Sequence, residues 1–157
     1  MRFLTTPSIS PNMRIALILL MSAVSLFIVS HYVLEAMRYG VTPQQVTAAV
    51  TGDEELFIDP LPFEELLLQV HMNLFFIFLL LGIVGATYIR LFAERRSTRT
   101  LILLLGASSL TAQPIFLLLP VAGKIAAALW LVVTLVWHLV AFAAALFCIR
   151  ALARGSK

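Results

Sequence analysis

The chain has 157 residues, 61% of them hydrophobic and only 12% charged, with a mean hydropathy of +1.01, which excludes an ordinary soluble domain. The apolar residues gather into runs of about 20, the length of helix that crosses a hydrocarbon core of roughly 30 Å. The formal charge of +3 does not imply nucleic acid, because in such a chain the placement of Lys and Arg reports topology first.

The first predicted span covers about 15–36. Its run from Ile15 to Leu34 follows Arg2 and Arg14 but is too long for the apolar region of a cleaved signal, and no small-x-small site follows; it is expected to remain as a signal anchor. An external acidic loop, 37–65, comes next. Within it Thr42, Pro43 and Gln45 read as the N-cap, first-turn proline and capping-box partner of a short helix that runs to about Thr51 and is closed by Gly52. Val46, Ala49 and Val50 share one face of that helix, suited to the membrane surface or to the outer ends of the bundle. The stretch Asp53 to Pro62 is expected to be extended, with Phe57 and Ile58 free to pack and Pro60 and Pro62 delaying the next helix.

The second span, about 66–89, is preceded by a first turn of Phe63, Glu64 and Glu65, where acids suit the positive end of the helix dipole. The third, about 100–119, contains Pro114 and ends at Pro120, so a kink is expected after Thr111 or Ala112. Its polar cluster of Ser108, Ser109, Thr111 and Gln113 is expected to satisfy backbone groups freed by the proline. The fourth span covers about 125–148. These readings give an all-α fold, a four-helix integral membrane bundle with a short extramembrane helix in the first external loop, and one membrane domain over 1–157.

Basic residues set the expected orientation. Arg2 and Arg14 precede span one, Arg90, Arg95, Arg96 and Arg99 join spans two and three, and Arg150, Arg154 and Lys157 follow span four. Nine of eleven bases therefore share one side, while the other holds Glu35, Asp53, Glu54, Glu55, Asp59, Glu64 and Glu65, seven of the eight acids. The positive-inside rule then predicts a multi-pass protein of a bacterial-type inner (cytoplasmic) membrane, both termini cytoplasmic and the acidic loop periplasmic. The Arg95, Arg96 and Arg99 group serves first as a topological anchor, with anionic lipid or a soluble partner as the alternative.

Absent motifs narrow the chemistry. A single Cys148 permits no intrachain disulfide or paired-thiolate site. There is no phosphate-binding G-x-x-x-x-G-K-S/T, no G-x-S-x-G elbow, no H-E-x-x-H, and no Lys, Asp or Glu deep within a span. A stand-alone enzyme is disfavoured against an electron-transfer or accessory subunit.

Intramembrane ionisable residues are costly and therefore functional candidates, and His31, His71 and His138 are the chain's only histidines. At 1.5 Å per residue His31 lies about 25 Å above Arg14 and His71 about 28 Å above Arg90, both near the outer boundary, whereas His138 lies about 18 Å above Arg150, nearer the midplane. Glu35 stacks one turn outside His31 and Glu64 two turns outside His71, while Phe75, Phe78, Gly82 and Gly85 continue the His71 face, which is expected to turn toward the bundle. The first expectation is a haem b held between His31 and His71, with His138 shaping a second site or replacing one ligand, in an electron-transfer subunit facing a periplasmic redox partner. In its histidines on separate helices the chain resembles four-helix membrane cytochrome b subunits; three histidines fall one short of two bis-histidine haems. The alternatives are a metal site on His31, His71, Glu35 and Glu64 in a metal-handling protein, and a non-catalytic accessory or assembly subunit of a larger membrane complex. In the last case the histidines are structural, His31 bonding Glu35 and His138 bonding within the bundle. Expected partners are the lipid bilayer, membrane-complex subunits and a second copy of the chain.

Overall fold

In a computed structural model of the protein, residues 9–154 are described; Arg2 and Lys157 lie outside them. Six α-helices follow in order: α1 (Pro11–Tyr39), α2 (Pro43–Thr51), α3 (Phe63–Leu80), α4 (Ala86–Phe92), α5 (Arg96–Leu117) and α6 (Leu119–Arg154). A π-helical turn, Leu81–Gly85, joins α3 to α4, so that Phe63–Phe92 forms one rod. This rod, α1, α5 and α6 are the four helices long and apolar enough to cross a membrane, which makes the chain a polytopic, membrane-type helical protein.

The first, second and fourth predicted spans each lie within one of these four, whereas the third, 100–119, runs past the end of α5 at Leu117 into the start of α6 at Leu119; the observed helices run past the apolar runs at most other ends. Helices continue into the interface as long as backbone hydrogen bonds can be made there, so charge marks the edge of the hydrocarbon and not the end of the helix. Ser10 caps α1, its hydroxyl accepting from the Met13 amide at 3.3 Å. The loop helix forms as its sequence predicts. Thr42 Oγ1 accepts from the Gln45 amide at 3.3 Å, the Gln45 side chain accepts in return from the Thr42 amide at 3.2 Å, and Gly52 closes the helix. Val46 and Val50 are buried, and α2 packs against α6.

The long α6 is the hub, packing against α1, α2 and α5. Lipid gives helices no hydrophobic reason to associate, so close packing must come from small side chains. On α6 these are Ala127, Ala141, Ala144 and Ala145, all fully buried. The helix is broken near its start at Gly123, whose φ of 53° and ψ of −131° no side-chain-bearing residue adopts without strain. α3 packs chiefly on α5 and reaches α1 through side chains, as where the Phe27 and Phe76 rings meet at 5.3 Å.

Both ends of the bundle are identifiable. Arg14, Leu91, Ala151 and Leu152 line one cavity, so the start of α1 and the ends of α4 and α6 lie at one level, the basic end. Glu35 and α2 lie toward the other.

Three local expectations are corrected. The stretch after α2 is a tight turn and not extended chain: Asp53 and Ile58 form a single β-bridge, and Asp53 Oδ1 accepts from the Glu55 and Leu56 amides at 3.0 and 3.2 Å. That carboxylate organises the turn locally, leaving Phe57 95% exposed. The α3 face carrying His71, Phe75, Phe78 and Gly82 points outward, with only Gly85, at the end of the π turn, buried; the inward face is Leu66, Val70, Asn73, Ile77 and Leu80, continued by Val84 within the π turn. Burying the Asn73 amide against partners outweighs aligning glycines, because an amide left in hydrocarbon is the larger loss. In α5 the Ser108 hydroxyl bonds the Leu104 and Leu105 carbonyls and that of Ser109 bonds Gly106. Neither reaches Leu110, whose helical donor Pro114 removes, and the helix continues through the proline to Leu117.

Candidate functional site

The site lies where α1 meets α6. On α1 the inward face is Met21, Ser25, Ile28, Glu35 and Tyr39, and His31 sits one turn from both Ile28 and Glu35. On α6 the inward face includes Trp130, Thr134, Trp137, His138 and Ala141. His31 Nδ1 and His138 Nε2 are 3.1 Å apart, and the two imidazoles stack at a 27° interplanar angle. Together with a Glu35 carboxylate oxygen they form a group whose donor atoms lie within 4.8 Å of one another.

Hydrogen bonding fixes the chemistry of each group. His138 Nδ1 lies 2.8 Å from the Thr134 carbonyl; a carbonyl only accepts, so the proton is on Nδ1 and Nε2 offers its lone pair to the site. His31 therefore donates from Nδ1 to His138 Nε2. Glu35 is buried, and its Oε1 accepts from Asn73 Nδ2 at 3.2 Å. Its Oε2 lies 4.0 Å from His31 Nδ1, beyond hydrogen-bond reach, and is buried with no hydrogen-bond partner among the described residues. Asn73 is held in turn: Gln69 Nε2 donates to Asn73 Oδ1 at 3.0 Å, and exposed Arg38 donates to Gln69 Oε1 at 2.8 Å. A line of polar side chains thus runs from the bundle surface through α3 to Glu35. Around the imidazoles the walls are aromatic, with Phe27, Tyr32 and Trp137 rings at 5.7, 5.1 and 3.6 Å from the nearer histidine.

Of the residues expected from sequence, the structure brings together His31, Glu35 and His138. His71 and Glu64 are exposed on α3 and stand outside this group. The pairing of His31 is with α6 and not with the second span. Asn73 and Gln69 carry the supporting shell and were not predicted; the available signal was that Asn73 is the polar member of an otherwise apolar inward stripe. Comparison of the chain with protein-family models, curated proteins and solved structures finds no match.

Proposed function

We propose that the chain is a metal-handling membrane protein that holds one divalent transition-metal ion between α1 and α6, with His31 Nδ1, His138 Nε2 and a Glu35 oxygen as ligands. The observation that carries this reading is the buried, partnerless Glu35 Oε2 beside two imidazole nitrogens. A buried carboxylate oxygen without a hydrogen bond is destabilising, and a cation bound there removes that cost. At metal–nitrogen bonds of about 2.0 Å, tetrahedral neighbours sit about 3.3 Å apart, close to the 3.1 Å separation found. Two imidazoles and one carboxylate suit Zn²⁺ or Fe²⁺ and leave positions open for water or a substrate. The Thr134 carbonyl on His138 and the Asn73 amide on Glu35 are the kind of outer partners that orient metal ligands. On binding, the proton on His31 Nδ1 gives way to the metal and the ring carries its proton on Nε2.

A haem b is supported less well by this pair. Trans ligands of one iron stand about 4 Å apart on opposite sides of a porphyrin, whereas these rings stack directly on each other. By the positive-inside rule the basic end faces the cytoplasm and the site lies toward the periplasmic end. There the acidic loop raises the local concentration of cations.

The test is titration of the purified, detergent-solubilised protein with Co²⁺ and Zn²⁺, alongside oxidised and reduced optical spectra. One tightly bound ion per chain is expected, weakening as pH falls because the ligands must be deprotonated. It should be lost in His31→Gln, His138→Gln and Glu35→Gln and retained in His71→Gln. A metal-free protein that takes up no ion would instead assign the cluster to a structural hydrogen-bond network, and a haem spectrum would return the site to electron transfer.

A further inference from the structure

The basic end of the bundle carries a second feature, unconnected with the histidine site. A cavity of about 300 Å³ opens between the end of α4 and the end of α6, lined by Phe92, Arg95, Phe147, Arg150, Ala151 and Arg154. Three arginines and two phenylalanines thus share its lining. Arg95 is held over the Phe92 ring at 4.7 Å, a cation–π contact that orients its donors. None of the three lies within 4.0 Å of a carboxylate among the described residues, and none donates a side-chain hydrogen bond there. Glu94, the nearest acid in sequence, lines a different cavity, on whose rim Arg95 also stands together with Arg96 and Arg99.

The arginine cavity does not end in solvent. Arg95 and Phe147 also line a second, strongly apolar groove of about 420 Å³, which continues between α4, α5 and α6 along Tyr88, Leu101, Leu104, Val140 and Ala143. From Arg150 to Val140 this follows α6 for about 15 Å toward the membrane interior. Leu104 and Phe147 are 46% and 49% exposed, so the groove opens laterally to lipid. A cationic pocket continuous with an apolar groove has the two chemistries of one amphipathic molecule, in the right order and at the right depth.

We propose that this end of the protein binds one anionic phospholipid, its phosphate between Arg95, Arg150 and Arg154 and an acyl chain in the groove between α4, α5 and α6. Guanidinium forks match phosphate oxygens in bidentate geometry, which an ammonium cannot reproduce. Basic pockets between transmembrane helices are also where anionic headgroups are held. The site differs from diffuse surface attraction in using Arg150 and Arg154 and not Arg96 and Arg99, although all four are exposed bases at one end.

Native mass spectrometry of the full chain from mild detergent tests this, with phosphatidylglycerol, phosphatidylcholine of the same acyl chains, and soluble glycerol phosphate as probes. One phosphatidylglycerol per chain is expected, retained about tenfold more strongly than phosphatidylcholine. The Arg150→Gln/Arg154→Gln pair should remove that preference and the Arg96→Gln/Arg99→Gln pair should keep it. Ala143→Phe, which fills the groove, should weaken phosphatidylglycerol and leave glycerol phosphate unaffected. Equal retention of the two lipids by the unmodified chain would overturn the proposal, as would an equal loss in both arginine pairs. Glycerol phosphate binding as tightly as the lipid would make this a free-phosphate site and overturn it too.

Discussion

Substituting Asn73 by Leu separates a metal site from a helix staple. Asn73 is buried, its Nδ2 donates to Glu35 Oε1 at 3.2 Å and its Oδ1 accepts from Gln69 Nε2 at 3.0 Å. Leucine keeps the helix and the approximate volume while removing both bonds. Glu35 then has neither oxygen satisfied, since Oε2 already lacks a partner. Interhelical hydrogen bonds in membranes average about 0.6 kcal/mol, and an orphaned buried acceptor costs about 1–3 kcal/mol. Gln69 is only partly buried and regains water or headgroup contacts, so the metal-free protein should lose about 1–2 kcal/mol. Metal affinity should fall further, because loss of an outer-shell partner typically weakens binding about 10- to 100-fold. Unfolding in detergent with and without Zn²⁺, together with competition against a chromophoric chelator, measures both quantities on one preparation. A dissociation constant within threefold of the unmodified protein, combined with the stability loss, would refute Asn73 as support for a metal ligand and leave it as a bond between α1 and α3.

Two further substitutions test the fold. Gly123→Ala should destabilise by about 1–3 kcal/mol, and since a Cβ there meets nothing within 4 Å the loss is conformational; Gly106→Ala, equally uncrowded but inside α5, should stabilise by up to about 1 kcal/mol. Equal effects of the two in thermal unfolding would mean that the backbone at Gly123 is not strained. Thr42→Ala removes the N-cap of α2 and should cost about 1 kcal/mol, read as faster hydrogen exchange over residues 43–51 with the transmembrane helices unchanged.

The four spans and the loop helix were legible because each rests on a local rule. Twenty apolar residues need a helix in lipid, and the Thr42–Pro43–Gln45 pattern needs no tertiary partner to act. Which way each helix faces is not local. The inward stripe of α3, Leu66, Val70, Asn73, Ile77, Leu80 and Val84, follows a regular spacing of four and three. In a segment where nearly every residue is apolar, hydrophobicity cannot select that stripe from the glycine-bearing one. Each stripe carries one polar side chain, His71 or Asn73, and the inward turn of Asn73 is decided by tertiary partners, Glu35 on α1 and Gln69 on its own helix, which satisfy its amide.

The pairing of His31 with His138 was hidden by the choice of a depth marker. Counting from Arg150 places His138 about 18 Å from the basic boundary, about 7 Å short of His31, more than one helical turn. Helix α6, however, runs on to Arg154, and Arg14 shares a cavity with Ala151 and Leu152, so the level of Arg14 on α6 lies beyond Arg150. Counted from Leu152, which shares that cavity, His138 stands about 21 Å up, against about 25 Å for His31 counted from Arg14. The two agree to within one turn. A run of bases at a helix end therefore marks an interface only to within the length of the run, and here a shift of two residues past Arg150, together with that one-turn tolerance, separates two histidines at different depths from two histidines in one site.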